Sequence, residues 1–161
     1  MSSQEQNEYI RLIQKHNGII HKVIGLYVDN QEDKKDLHQE ILLQAWKSYK
    51  NFKGQSVFST WLYKVALNTV LTFNKKHKKN EALEKIDHIG TDPDTKDNSE
   101  ILYHIIKSFS EVDRMLISLH LDGYKNNEIA DITGMTQNNI NVKIHRIKSK
   151  IIEKFKTINN D

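Results

Sequence analysis

The sequence has no cysteine, one proline (Pro93) and only six glycines in 161 residues. Without cysteine there is neither a disulfide framework nor a thiolate metal site. So few proline and glycine residues leave little of the turn chemistry that a sheet protein needs, which favours an all-α chain. No apolar run approaches the ~18 residues that span a membrane. The opening MSSQEQNEYI also lacks the basic and apolar blocks of a secretory signal. No direct membrane insertion is expected, and a cytoplasmic location is. Catalytic framing is missing too: the eight histidines are scattered without HExxH spacing, and neither a glycine-rich phosphate loop nor a framed nucleophile occurs. Asp29, Gln31, Asp33 and Glu40 imitate the spacing of a calcium loop, but Lys34 stands where that loop needs glycine. No metal, no cofactor and no enzymatic activity are expected.

Hydrophobic residues make up 37% of the chain and charged residues 28%, enough to fold but with no apolar surplus. The length suits one ordinary domain or two helical ones of about 60–80 residues, each with a modest core. The net charge of +3 conceals a segregated pattern. From Asp29 to Glu40 there are five acidic residues and two lysines; from Ile41 to Asn80 there is no carboxylate and there are eight lysines. From Glu81 to Glu100 seven acidic residues stand against two lysines, and residues 136–156 carry six basic side chains and one acidic one. Two basic stretches around an acidic connector suit two contacts with a polyanion, with the steep salt dependence of phosphate neutralisation. Any single lysine run can equally be a solvated helix face. A carboxylate-free stretch from Ile41 to Asn80 is the stronger sign.

Residues 5–28 place Tyr9, Leu12, Ile13, Ile19, Ile20, Val23, Ile24 and Tyr27 at helical spacing around a break at His16-Asn17-Gly18. This predicts one interrupted helix or two short ones. A second helix is predicted over 32–49, then a loop containing Gly54, then a third helix capped by Ser59 or Thr60 and running to about Lys76. The segment 80–99 loses periodicity and holds Pro93, so it reads as a flexible linker, with helical character allowed in its first half. Three or four helices follow from Glu100.

The clearest local signal is at 110–152. Ser110 is placed to cap a helix that stops at Gly123, Asn126 or Asn127 to cap a short helix holding Ile129, Ala130 and Ile132, and Thr136 to cap the next. Gly134 supplies the tight turn between the last two, and Ile140, Ile144, Ile147 and Ile151 form one apolar stripe. The other face of the last helix displays Gln137, Asn138, Asn141, His145, Arg146 and Lys148. This is the construction of a helix-turn-helix, whose second helix enters the major groove. Its amides can pair with adenine edges, while Lys143, Arg146 and Lys148 can reach phosphates. An αα-hairpin with a polar outer face is the plainer alternative, and the coincidence of cap, turn and basic helix weighs against it.

Seven of the thirteen aromatic residues fall between Trp46 and Phe73, inside the carboxylate-free stretch. On the third helix Leu62, Val65, Ala66, Thr69 and Phe73 are predicted to face the core. Trp61, Lys64, Asn68, Thr72 and Lys75 share another face, which suits unstacked bases and their backbone. Trp46 and Phe52 are expected in the core, whereas Trp61 is balanced between core and base capture.

The stretch DLHQEILLQAW…F…FSTWLYKVALN resembles region 2 of sigma factors of the extracytoplasmic-function group, and GYKNNEIADITGMTQNNINVKIHRIKSKI resembles their region 4. With the connecting acidic segment, the resemblance covers nearly the whole chain. It implies two small helical domains, residues 1–79 and 100–161, joined by a flexible linker at 80–99, the second domain a helix-turn-helix. It implies core RNA polymerase and promoter DNA as partners. Asp36, Leu37, Gln39, Glu40 and Leu43 would dock on the polymerase's clamp helices. The loop at 50–55 with Lys53, then Phe58, Trp61, Lys64 and Asn68, would open the minus-ten element and capture a base. The helix with Thr136, Gln137, Asn138, Asn141, Lys143, His145, Arg146 and Lys148 would read the minus-thirty-five element. The linker would thread toward the RNA exit channel, and an anti-sigma factor could clamp the two domains. His38 and the lysine-rich, arginine-poor loop depart from the family pattern, as does the run Asn138-Asn139-Ile140-Asn141. The alternatives are a stand-alone helix-turn-helix regulator, or an interaction protein such as a sigma mimic or anti-sigma factor. The first leaves the basic aromatic helix unexplained; the second leaves the basic recognition helix unexplained.

Overall fold

The structure, a computed structural model, describes residues 1–80 and 97–160, apart from the side chains of 78–80. Of the expected linker 80–99, residues 81–96, with the helical character allowed in its first half, lie outside the described residues, and its ends are helical: Asn80 closes one helix and Asn98 opens the next. The described residues form seven α-helices and no strand, as the composition predicts, in two compact units. The first holds α1 (Ser3–Tyr27), α2 (Gln31–Tyr49) and α3 (Phe58–Asn80); the second holds α4 (Asn98–Lys107), α5 (Glu111–Leu121), α6 (Asn126–Thr133) and α7 (Gln137–Asn159).

Helix α1 runs unbroken through His16-Asn17-Gly18, where the spacing predicts a break. The polar triplet finds its partners on other helices. The His16 ring lies 5.5 Å from that of Phe58, and Asn17 reaches His38 on α2 at 3.0 Å. A mid-helix glycine costs roughly 1 kcal/mol against alanine. Burial of Ile13, Ile20, Val23 and Ile24 outweighs that, at about 1.5–3 kcal/mol for each fully buried side chain. Helix α2 starts at Asn30, whose Oδ1 accepts from the backbone N–H groups of Glu32 and Asp33 at 2.9 and 3.2 Å. It buries Leu37, Ile41 and Ala45 in a line.

Helix α3 begins at Phe58, ahead of the predicted Ser59 or Thr60 cap, because Trp61 N–H already donates to the Val57 carbonyl at 3.1 Å. Its buried residues are Phe58, Leu62, Tyr63, Ala66, Leu67 and Val70, while Val65, Thr69 and Phe73 are only half-buried. The core arc is rotated and widened from the predicted stripe because α3 packs on both α1 and α2.

In the second unit the local signals act largely as read. Ser110 Oγ accepts from Asp113 N–H at 3.3 Å, and α5 ends at Gly123, whose φ of +90° is left-handed. Helix α6 differs in its start: Lys125 occupies the cap position instead of Asn126 or Asn127, and its N–H donates to the Glu128 carboxylate at 2.9 Å. Gly134, at φ +76°, closes α6, and Thr136 Oγ1 opens α7 by accepting from Asn139 N–H at 3.3 Å. Ile140, Ile144 and Ile147 are buried with Leu116, Leu119, Ile129 and Ile132, whereas Ile151 is half-buried.

Candidate nucleic-acid interface

In the first unit, the loop between α2 and α3 is held by rings. Phe52 lies 5.1 Å from Trp61 and 5.8 Å from Phe58, Phe58 lies 5.3 Å from Trp61, and Tyr49 touches all three at 6.1–6.3 Å. Such stacked, edge-on and tilted pairs add ~0.5–1.5 kcal/mol each beyond their buried area. They hold the polar turn 50–57 against the start of α3. Trp61 is half-buried, with rings on one side and solvent on the other. Lys53 in the loop is exposed, and so are Lys64, Asn68, Thr72 and Lys75 on α3, as the helical spacing predicts. Trp46 is more open than the sequence suggests, 36% exposed with its ring 5.0 Å from Tyr9. Tyr9 is itself buried, its hydroxyl donating to the Leu42 carbonyl at 3.0 Å, and burial pushes its pKa up to about 12.

Two candidate contact residues are not on the surface. Leu37 is 1% exposed and Phe58 7%, so both are packed in the core of the unit. The reason is geometric: α2 and α3 each serve a core and a surface, and these two positions lie on the inward arcs. Asp36, Gln39, Glu40 and Leu43 are exposed.

A groove of about 610 Å³ separates α2 from α3. Asp36 and Glu40 stand on one wall, and Asn68, Thr72 and Lys76 on the other. Glu40 is steadied by Gln44, whose Nε2 donates to it at 2.8 Å. Two carboxylates make this wall unfavourable for phosphate.

In the second unit α7 presents Gln137, Asn138, Asn141, His145, Arg146 and Lys148 to solvent; Lys143 is half-buried. Thr136 is exposed but its hydroxyl is engaged as the cap, and Asn141 is hydrogen-bonded to Asn126 of α6. His120 of α5 has its pKa lowered by burial and then by the Lys148 ammonium. Sequence periodicity did not single out Val142, which is 48% exposed on the polar face of α7. An apolar residue opposite the isoleucine stripe was the available signal. No group of three or more potential metal ligands occurs among the described residues, and no described helix is long and apolar enough to cross a membrane.

Comparison with known proteins agrees with this geometry. The family model of Sigma-70 region 2 matches residues 12–80, and that of Sigma-70, region 4 matches residues 99–151. The ECF RNA polymerase sigma-E factor of Haemophilus influenzae is 30% identical over 158 residues, spanning 85% of this chain and 83% of that protein. The ECF RNA polymerase sigma-E factor of Escherichia coli K12 is 24% identical over 172 residues, 96% of this chain and 90% of its own. In fold, the chain is similar to the sigma factor RpoE from Bartonella quintana, solved in complex with the anti-sigma factor NepR. The TM-score is 0.72 at 17% identity, over 96% of this chain and 98% of that one. It is also similar to CnrH, solved with the cytosolic domain of CnrY, with a TM-score of 0.67 at 15% identity, over 94% of this chain and 90% of that one. The chain belongs to the sigma-70 family, as an RNA polymerase sigma factor of the extracytoplasmic-function group.

Proposed function

We propose that α2 docks on core RNA polymerase through Asp36, Gln39, Glu40 and Leu43, that α3 and the loop before it open the minus-ten element, and that α7 reads the minus-thirty-five element. The observation that carries this is the division of charge within one small unit. Carboxylates line the α2 wall of the groove, while α3 and its loop offer amides, hydroxyls, lysines and a half-buried tryptophan. One surface suits a basic protein partner and the other a nucleic acid. Unstacking a base costs a few kcal/mol, and stacking it on an aromatic side chain returns ~1–3 kcal/mol. Trp61 with Lys53, Lys64 and Asn68 would shift the equilibrium toward the melted strand. On α7, Gln137 and Asn138 would meet base edges, Val142 a thymine methyl, and His145, Arg146 and Lys148 the backbone. The polymerase supplies the chemistry, so we assign the chain no enzymatic activity and a cytoplasmic location. A stand-alone regulator would not need the basic aromatic face of the first unit.

The test is binding of labelled chain to core polymerase. Reversing charge with Asp36→Lys and Glu40→Lys is expected to weaken binding roughly tenfold or more, with the thermal midpoint unchanged. Unchanged affinity refutes the docking assignment. An anti-sigma partner is proposed by analogy with the RpoE complex; co-purification from unstressed cells that returns polymerase and no small protein refutes it.

A further inference from the structure

On α1 and α2 three side chains form an arrangement that neither contact face uses. Asn17 and His21 stand one turn apart on α1, and His38 faces them from α2. The two imidazoles stack, with centroids 4.8 Å apart and planes 22° from parallel. Asn17 reaches both: its Nδ2 lies 3.1 Å from His21 Nε2, and its Oδ1 lies 3.0 Å from His38 Nε2. An amide nitrogen only donates and its oxygen only accepts, so His21 Nε2 holds a lone pair and His38 Nε2 a proton. A half-turn of the amide exchanges the two roles. In either orientation the bridge accepts from one ring and donates to the other. A doubly protonated pair would present two N–H donors to one oxygen and bring two cations into stacking contact. Near-parallel rings also direct their in-plane lone pairs side by side, not toward one point, which argues against a shared metal ion.

Among the described residues, no carboxylate lines the space beside the rings. A cavity of about 440 Å³ beside the rings has Lys34 and Lys35 as its other ionisable lining groups. Among the described residues neither α3 nor the carboxylates of Glu32, Asp33 and Asp36 line it. Lys22, next to His21 on α1, has its own pKa lowered by burial. Burial, and then the charge of His21, hold His38 below its ordinary value. A base with a lowered folded-state value takes up a proton on unfolding. Its stabilising contribution is therefore complete above the ordinary histidine value of about 6.5 and is lost as the pH falls below it.

We propose that His21, Asn17 and His38 form a one-proton latch between α1 and α2, and that acidification through the histidine range releases it and weakens docking on polymerase. Gln39 follows His38 directly and Asp36 lies two residues before it, so movement of α2 against α1 displaces the docking face. That last step rests on the docking role given to α2.

The test follows the imidazole signals of the full chain by NMR from pH 8 to pH 5, with thermal midpoint and core-polymerase affinity recorded across the range. The His38 signals are expected to move only below the ordinary histidine value, as burial and the charge of His21 direct, and midpoint and affinity fall together with them. His38→Gln keeps an N–H donor for Asn17 Oδ1 but cannot take a proton. It is expected to flatten both falls. His38 signals that move at the ordinary histidine value, a His38→Gln chain that follows the wild-type pH dependence, or affinity that holds while His38 takes up its proton each overturns the proposal. Failure of the docking role shows separately, as unchanged affinity of the Asp36→Lys, Glu40→Lys chain at pH 8, where the latch is closed.

Discussion

Replacing Trp61 by alanine removes two things at once, and their magnitudes differ enough to be told apart. Trp61 rests on Phe52 and Phe58 at 5.1 and 5.3 Å and is half-buried. Full truncation of a buried tryptophan costs ~3–5 kcal/mol, so a half-buried one is expected to cost about 2 kcal/mol. A first unit of about 80 residues has ~4–12 kcal/mol of stability to lose, and the variant stays folded. The missing base stack is worth ~1–3 kcal/mol, a decrease of roughly 5- to 150-fold in the open-complex equilibrium. Trp61→Phe keeps a ring in both roles and is expected to restore most of the stability and most of the opening. Circular dichroism with urea melts reads the first effect. Fluorescence of 2-aminopurine in the minus-ten element, at saturating holoenzyme, reads the second. A folded Trp61→Ala chain that opens promoters like the wild type refutes base capture and leaves Trp61 a packing residue.

Gly134→Ala meets no atom within 4 Å, yet φ is +76°, so it is expected to cost ~1–2 kcal/mol of backbone strain. Calorimetry should show a loss of several degrees in the second unit, and an unchanged transition contradicts the left-handed turn. Arg146→Ala with Lys148→Ala should flatten the dependence of log affinity on log salt by about 0.9 for each phosphate that is no longer neutralised; an unchanged slope places both side chains off the backbone. Asn30→Ala removes the cap bonds to Glu32 and Asp33 and is expected to cost ~1 kcal/mol, with Asn30→Asp near neutral, as read by denaturant melts.

What could be read from the sequence was what depends on neighbours along the chain. Ser110, Gly123, Gly134 and Thr136 act within three or four residues of themselves, and so the helix-turn-helix was legible in detail. The exposed face Lys64, Asn68, Thr72 and Lys75 followed from helical spacing alone. What escaped depends on other helices. His16-Asn17-Gly18 looks like a break until Phe58 and His38 are brought beside it. Leu37 and Phe58 carry the family pattern of a contact region, yet packing turns them inward. The wide buried arc of α3 reflects two packing partners where periodicity assumes one. At α6 the cap position falls on Lys125, ahead of the expected Asn126 or Asn127, and its own N–H is held by the Glu128 carboxylate. The engagement of Asn141 by Asn126 likewise leaves α7 with fewer free amides than its sequence displays.

The most direct measurement is run-off transcription with purified chain, core RNA polymerase and a library of promoter fragments from the host. Specific transcripts that appear only when the chain is added, and that weaken with Trp61→Ala and with the Asp36→Lys, Glu40→Lys pair, are the expected result. No transcript, together with tight binding to duplex DNA in the absence of polymerase, contradicts the division of labour assigned to α2, α3 and α7.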